Sequence, residues 1–251
     1  MKGTERTWYT LLPWMTVYAI AMALLESAVV VDLRALYFPQ GFRFPLVPIE
    51  RTIAITELFR ELATMVMLLA PGAMVTRRAL DRFAWFLFCF GVWDIFYYVF
   101  LKVILGWPVT LFDWDILFLV PVPWVGPVLA PCIVALGMVL FGLLVLEARR
   151  RDPAAHILAW ERALLAIAVV VMLYTFVEEP LGHALQAREQ TLSVAASGDA
   201  LGALHDYVPA RFTWPVFLVG AGLAAAAMLN MALRSLRHRV VPNSMVLEGD
   251  D

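Results

Sequence analysis

Lysine is almost missing from this chain: 251 residues contain only Lys2 and Lys102, and the other basic residues are arginines and four histidines. Charge as a whole is scarce, at 16% Asp, Glu, Lys and Arg, where an ordinary soluble domain carries about 25%. Nineteen basic against 21 acidic residues leave a formal net charge of −2 and no basic tract, which excludes nucleic acid as a partner. The two cysteines, Cys89 and Cys132, lie inside apolar runs and exclude a disulfide framework. No Walker loop, dinucleotide fingerprint, HExxH or GxSxG occurs, so no motif supports nucleotide binding or hydrolase chemistry. What the chain has in excess is apolar surface: 62% of its residues are hydrophobic and its mean hydropathy is +0.79. That is the composition of a polytopic membrane protein.

A helix crossing the hydrocarbon needs about 20 mostly apolar residues. Six stretches qualify, near Thr7–Val31, Ile49–Ala70, Phe83–Leu105, Pro121–Leu146, Leu158–Val177 and Trp214–Leu233. The first continues past any cleavage site near Ala21 and Ala23, so it reads as a retained span rather than a signal peptide. Twelve basic residues fall on one side of the spans: Lys2, Arg6, Arg77, Arg78, Arg82, Arg149, Arg150, Arg151, Arg162, Arg234, Arg237 and Arg239. Five fall on the other: Arg34, Arg43, Arg51, Arg188 and Arg211. The positive-inside rule then places both termini in the cytoplasm. The expected fold is an all-α, six-helix transmembrane domain over residues 1–239, multi-pass in a bacterial inner membrane. Outer loops are expected at 32–48, 106–120 and 178–213, with a disordered cytoplasmic tail at 240–251. Pro121, Pro123, Pro127 and Pro131 prevent a regular helix at the start of the fourth span and predict a buried or cavity-lining elbow there. Gly220, Gly222 and Ala224–Ala227 give the last span a small surface for close helix packing.

Ionisable residues inside the spans are the functional signal. Glu57, Arg60, Glu61 and Thr64 share one helical face in the second span; Asp94, Tyr98 and Lys102 share a stripe in the third, as do Tyr18, Met22 and Glu26 in the first. At about 1.5 Å of rise per residue these groups overlap in depth in the outer half of the bilayer. One embedded charge costs about 2.5–3.5 kcal/mol at a helix centre, so the stripes must face one another across a polar cavity. Four carboxylates (Glu26, Glu57, Glu61, Asp94) meet two cations (Arg60, Lys102), a deficit of two positive charges. Shared protons, a bound cation or a cationic substrate would close it. Asp113, Asp115, Glu178 and Glu179 are expected at the cavity lip. The alternative is a structural clamp in which Arg60 ties three helices together.

Cofactor signals are weaker. None of the four histidines lies mid-span, which argues against a bis-histidine haem. A retinal Schiff base needs a lysine within a span, and Lys102 stands near a helix end. His183 and His205, with Glu57 or Glu61, are the candidates for a divalent metal.

Two stretches, Gly91-Val-Trp-Asp-Ile-Phe-Tyr-Tyr-Val-Phe-Leu-Lys102 and Asp115-Ile-Leu-Phe-Leu-Val-Pro-Val-Pro-Trp-Val-Gly-Pro-Val128, resemble parts of an uncharacterised family of bacterial multi-pass membrane proteins. That resemblance implies a membrane bundle and brings no activity with it. Phe176–Pro180 resembles the Pro-x-Glu-Glu element of membrane lycopene cyclases, without its leading proline, and no role carries over. Three functions fit these features. The first is binding or movement of a proton, small cation or small substrate in the cavity. The second is an intramembrane enzyme on a lipid or isoprenoid, metal-assisted or not, with Glu57, Glu61 or Asp94 as acid or base. The third is an accessory subunit seated against a membrane-protein partner or a second copy of itself, all within the lipid bilayer.

Overall fold

The computed structural model describes residues 8–119, 123–191 and 207–237. Six long helices account for most of them: α1 (Trp8–Tyr37), α2 (Arg51–Val75), α3 (Ala79–Leu105), α4 (Leu129–Arg151), α5 (Ala159–Thr191) and α6 (Trp214–Arg237). Five of these are long and apolar enough to cross a membrane, all but α2. The sixth, α2, carries Glu57, Arg60 and Glu61, and it is built inside out. Its buried face holds Glu57, Glu61, Thr64, Leu68 and Gly72, while Phe59, Leu62, Val66 and Leu69 are exposed. A polar face turned inward and an apolar face turned outward suit a lipid surround, since water would select the reverse.

The helix ends follow local chemistry. Gly106, at φ 69°, closes α3 in the left-handed conformation that spares glycine a Cβ clash, and its N–H donates to the Lys102 carbonyl. Pro39 stands two residues beyond the end of α1. Thr76–Arg78 make a tight turn between α2 and α3.

Two expectations need correction. The segment between α3 and α4 is not merely an interfacial loop: β1 (Trp114–Phe118) and β2 (Trp124–Pro127) pair antiparallel, with a register shift between Ile116 and Phe118. Aromatic and β-branched residues in this run favour the pleated form, and the prolines delay the start of α4 to Leu129. The non-helical elbow is therefore present, as a hairpin whose second strand is mostly buried. The expected outer loop 178–213 is helical through Thr191, with Pro180 inside α5. A proline forfeits one helical hydrogen bond, which a long helix in lipid tolerates. The tail 240–251 lies outside the described residues.

Packing joins α3 to α4 most closely. A Cβ at Gly91 would stand 2.4 Å from the Ala135 carbonyl oxygen, and one at Gly142 would stand 2.6 Å from that of Ala84. Two glycines facing opposite ways across one pair let the backbones touch at two levels. Gly220 does the same for α6 on α5, 3.0 Å from the Ala168 carbonyl oxygen. The main core joins α1, α3 and α4 around Trp85, Phe88, Trp93 and Phe141. A second cluster, around Phe176, Phe212 and Phe217, joins α5 and α6 to Ala130 at the start of α4.

Candidate functional site

The cavity lies where α1, α2 and α3 meet under the hairpin. On α1, Glu26 projects inward; on α2, Arg60, Glu61 and Thr64; on α3, Trp93, Asp94, Tyr97 and Tyr98. The side of β1 at Ile116–Phe118 closes it, and its volume is about 60 Å³. Since a water occupies about 30 Å³ of liquid, the space holds a few waters or one small solute.

Arg60 organises the α1–α2 wall. Its Nε donates to Glu57 Oε2 at 2.7 Å and its guanidinium also donates to Glu26 Oε1. The second Glu26 oxygen accepts the Thr64 hydroxyl at 3.1 Å. Glu61 is held differently: both its oxygens accept the Leu119 backbone N–H, at 3.2 and 3.1 Å. One carboxylate of α2 thus anchors the end of β1. Asp94 has neither a hydrogen bond nor an ion pair among the described residues, although its side chain lines the cavity. Trp93 also lines it, and its indole Nε1 is buried without an acceptor. An acid left unpaired among the described residues on a small polar space marks a site that takes a further polar partner.

Of the sequence-derived candidates, Glu26, Arg60, Glu61, Asp94 and Tyr98 meet on the cavity, and Glu57 is tied to it through Arg60. Lys102 does not join them. Its Nζ donates to the carbonyl oxygens of Pro108 at 2.7 Å and Gly106 at 3.2 Å, so it finishes the C-terminus of α3. A cation at a helix C-terminus is favoured by the carbonyls left there. Its departure deepens the charge imbalance from four against two to four against one.

Three of the expected lip residues go elsewhere. Asp113 accepts from Thr110 Oγ1 at 2.7 Å and from the Val109 N–H at 2.6 Å, closing a turn. Burial raises this carboxyl, but those bonds and Lys102 outweigh it and hold it below the usual carboxylate range. Glu178 accepts the Thr213 hydroxyl, while Glu179 accepts the Tyr207 hydroxyl and the Ala210 N–H, each at 3.1 Å. Both glutamates fasten the segment before α6 to α5. His183 packs against Tyr207, with ring centroids 5.5 Å apart, and His205 lies outside the described residues. Among the described residues no three His, Cys, Asp or Glu side chains form a group able to hold a metal.

Asp115, also expected at the lip, is buried and paired with Arg34, NH2 to Oδ1 at 3.0 Å. The Arg34 guanidinium lies 3.8 Å from the Trp107 ring centroid and 4.4 Å from that of Phe42, a cation–π arrangement on two faces. Arg34 NH1 and Asp115 Oδ2 remain buried without a partner. By sequence alone Arg34 falls in the expected outer loop 32–48. Yet Tyr18, Met22, Glu26, Val30 and Arg34 recur every fourth residue, so the stripe that identified Glu26 runs on to Arg34. A second buried acid was also missed: Glu161 of α5 accepts from Asn230 at 2.7 Å and from Arg234 at 2.9 Å, both on α6.

No family model matches this chain, nor does any curated protein or solved structure.

Proposed function

We propose that this chain is an integral membrane protein whose polar cavity binds a proton or a small cation, with Asp94 as the principal ligand and Glu61 beside it. The observation that carries the reading is the Asp94 carboxylate, unpaired among the described residues, on a cavity lined by three acids and a single arginine that is already bonded to Glu26 and to Glu57 behind it. An embedded ionisable group of this kind is functional by default. Arg60 is occupied by Glu26 and Glu57, so it cannot also neutralise Glu61 and Asp94 at contact distance. Protons or a cation from outside must do so. The small volume supports an ion, proton or small polar solute over a lipid or isoprenoid chain. The same reading places the protein in a bacterial inner membrane with both termini cytoplasmic, so that the cavity opens outward.

The test uses the full chain in detergent, heated in choline chloride and then in sodium, potassium, magnesium or calcium chloride at constant ionic strength. A bound cation at 100 times its Kd stabilises by about 2.7 kcal/mol. One of these salts should raise the thermal midpoint, and Asp94→Asn should abolish that rise while leaving the helical content intact. If the occupant is a proton, acidification should bring uptake of one proton fewer in Asp94→Asn. An Asp94→Asn protein that is more stable than the parent, with neither response changed, would end this reading.

A further inference from the structure

The arginine-rich end of the bundle carries a second site, distinct from the cavity. The N-terminus of α1, the α2–α3 turn and the end of α4 enclose a groove of about 840 Å³. Arg77, Arg78, Arg149 and Arg150 line it against one acid, Asp81. That acid is already matched, since Arg149 Nε donates to Asp81 Oδ1 at 2.9 Å. Arg150 is bonded to Glu147 at 2.6 Å. The guanidinium groups of Arg77 and Arg78 have no hydrogen-bond or ion-pair partner among the described residues, and both residues are exposed. Trp8 also lines the groove, and its indole Nε1 is buried with no acceptor. Met74, at 85% exposure, and Val75 form an apolar margin at the end of α2.

We propose that this groove binds the phosphate headgroup of an anionic phospholipid. Guanidiniums unpaired among the described residues offer several donors in a fixed plane that matches phosphate oxygens. The position decides the source of the phosphate. The groove lies where apolar helices end, so arginines at headgroup level stand above Leu11, Met74 and Leu146, which an acyl chain can cover. Its volume far exceeds that of a free phosphate ion. Basic pockets between membrane helices recognise anionic headgroups by this combination of charge and apolar contact.

Native mass spectrometry of the full chain in detergent tests this, with phosphatidylglycerol and phosphatidylcholine added at equal concentration. Phosphatidylglycerol adducts should dominate, and the Arg77→Ala/Arg78→Ala variant should weaken them by roughly tenfold. The control is Arg43→Ala/Arg51→Ala, which removes the same charge from exposed positions at the opposite end of the bundle; it should leave the preference intact. Equal binding of the two lipids, or equal loss in both double variants, overturns the site. Displacement of the lipid by inorganic phosphate at matched concentration overturns the choice of a lipid source. Unchanged helical content in both variants separates these outcomes from misfolding. Cation stabilisation through Asp94 is read separately, so either site can fail alone.

Discussion

Arg34 and Asp115 show how much a single buried pair can weigh. Each is almost fully enclosed, at 9% and 3% side-chain exposure, so the loss of either partner strands the other charge in a medium that solvates it poorly. Breaking such a pair costs about 3–5 kcal/mol, whereas replacing both partners by apolar residues is often neutral. Arg34→Met should therefore lower the unfolding free energy by about 3–5 kcal/mol. Arg34→Met with Asp115→Leu should recover most of that loss in the same denaturation series. Equal losses in single and double variants would mean that the aromatic clasp of Phe42 and Trp107, rather than the charge pair, holds the segment. At this scale the sequence was informative where polar residues recur at helical spacing inside an apolar helix. Glu26, Arg60, Glu61, Asp94 and Tyr98 follow from helical spacing and line one cavity. Lys102 fits the same spacing but sits one turn from the end of α3, where free carbonyls compete for its ammonium. Spacing identifies a face; it does not say whether a long side chain runs along that face or folds back to the helix end.

Among the elements, the α3–α4 pair is the most exacting, because Gly91 and Gly142 let backbone approach backbone. Gly91→Ala would push a methyl group to 2.4 Å from the Ala135 carbonyl oxygen. Neither backbone can yield without separating the helices, so this change should cost about 1–3 kcal/mol. Gly137 lies on the same helix as Ala135 with open space around it, and Gly137→Ala should gain about 0.5–1 kcal/mol from helix propensity alone. Thermal midpoints of the two variants in one detergent give the comparison. A Gly91→Ala protein as stable as Gly137→Ala would refute the close contact. The helices were legible because hydropathy and the 3.6-residue period agree over more than 20 residues. The hairpin was not. Trp107–Leu119 mixes aromatics, aspartates and aliphatics without a clean alternation, and its partner strand is only Trp124–Pro127. Pairing at that length is set by what the strands rest on, namely Glu61 at one end and Phe176 and Phe212 against Gly126. Those contacts come from distant parts of the chain. The extension of α5 past Pro180 was hidden for a related reason, since one lost hydrogen bond is outweighed by the turns on either side.

For the molecule as a whole, the decisive asymmetry is between its two ends. The α2–α3 turn, the end of α4, the first turn of α5 and the end of α6 gather the arginines, and the opposite end holds the hairpin, the cavity roof and few basic residues. A bilayer reads that difference through the cost of moving Lys and Arg outward during insertion. It follows that single cysteines introduced for exposed residues should label from opposite sides of the membrane. The parent for this experiment is Cys89→Ala/Cys132→Ala, which removes the two native thiols. In it, Arg78→Cys should react with an impermeant maleimide only after the inner face is opened, and Arg43→Cys should react on intact cells. The α1–α2 connection around Arg43 and the α2–α3 turn at Arg78 lie at opposite ends of one helix, so they must differ if α2 crosses the membrane at all. Labelling of both from outside would make α2 a surface helix, despite its exposed apolar stripe, and would take Glu57, Arg60 and Glu61 out of the bilayer. Water could then solvate those groups without protons or a cation. Opposite-sided labelling keeps all three groups in the bilayer interior, where four acids and one arginine cannot remain uncompensated.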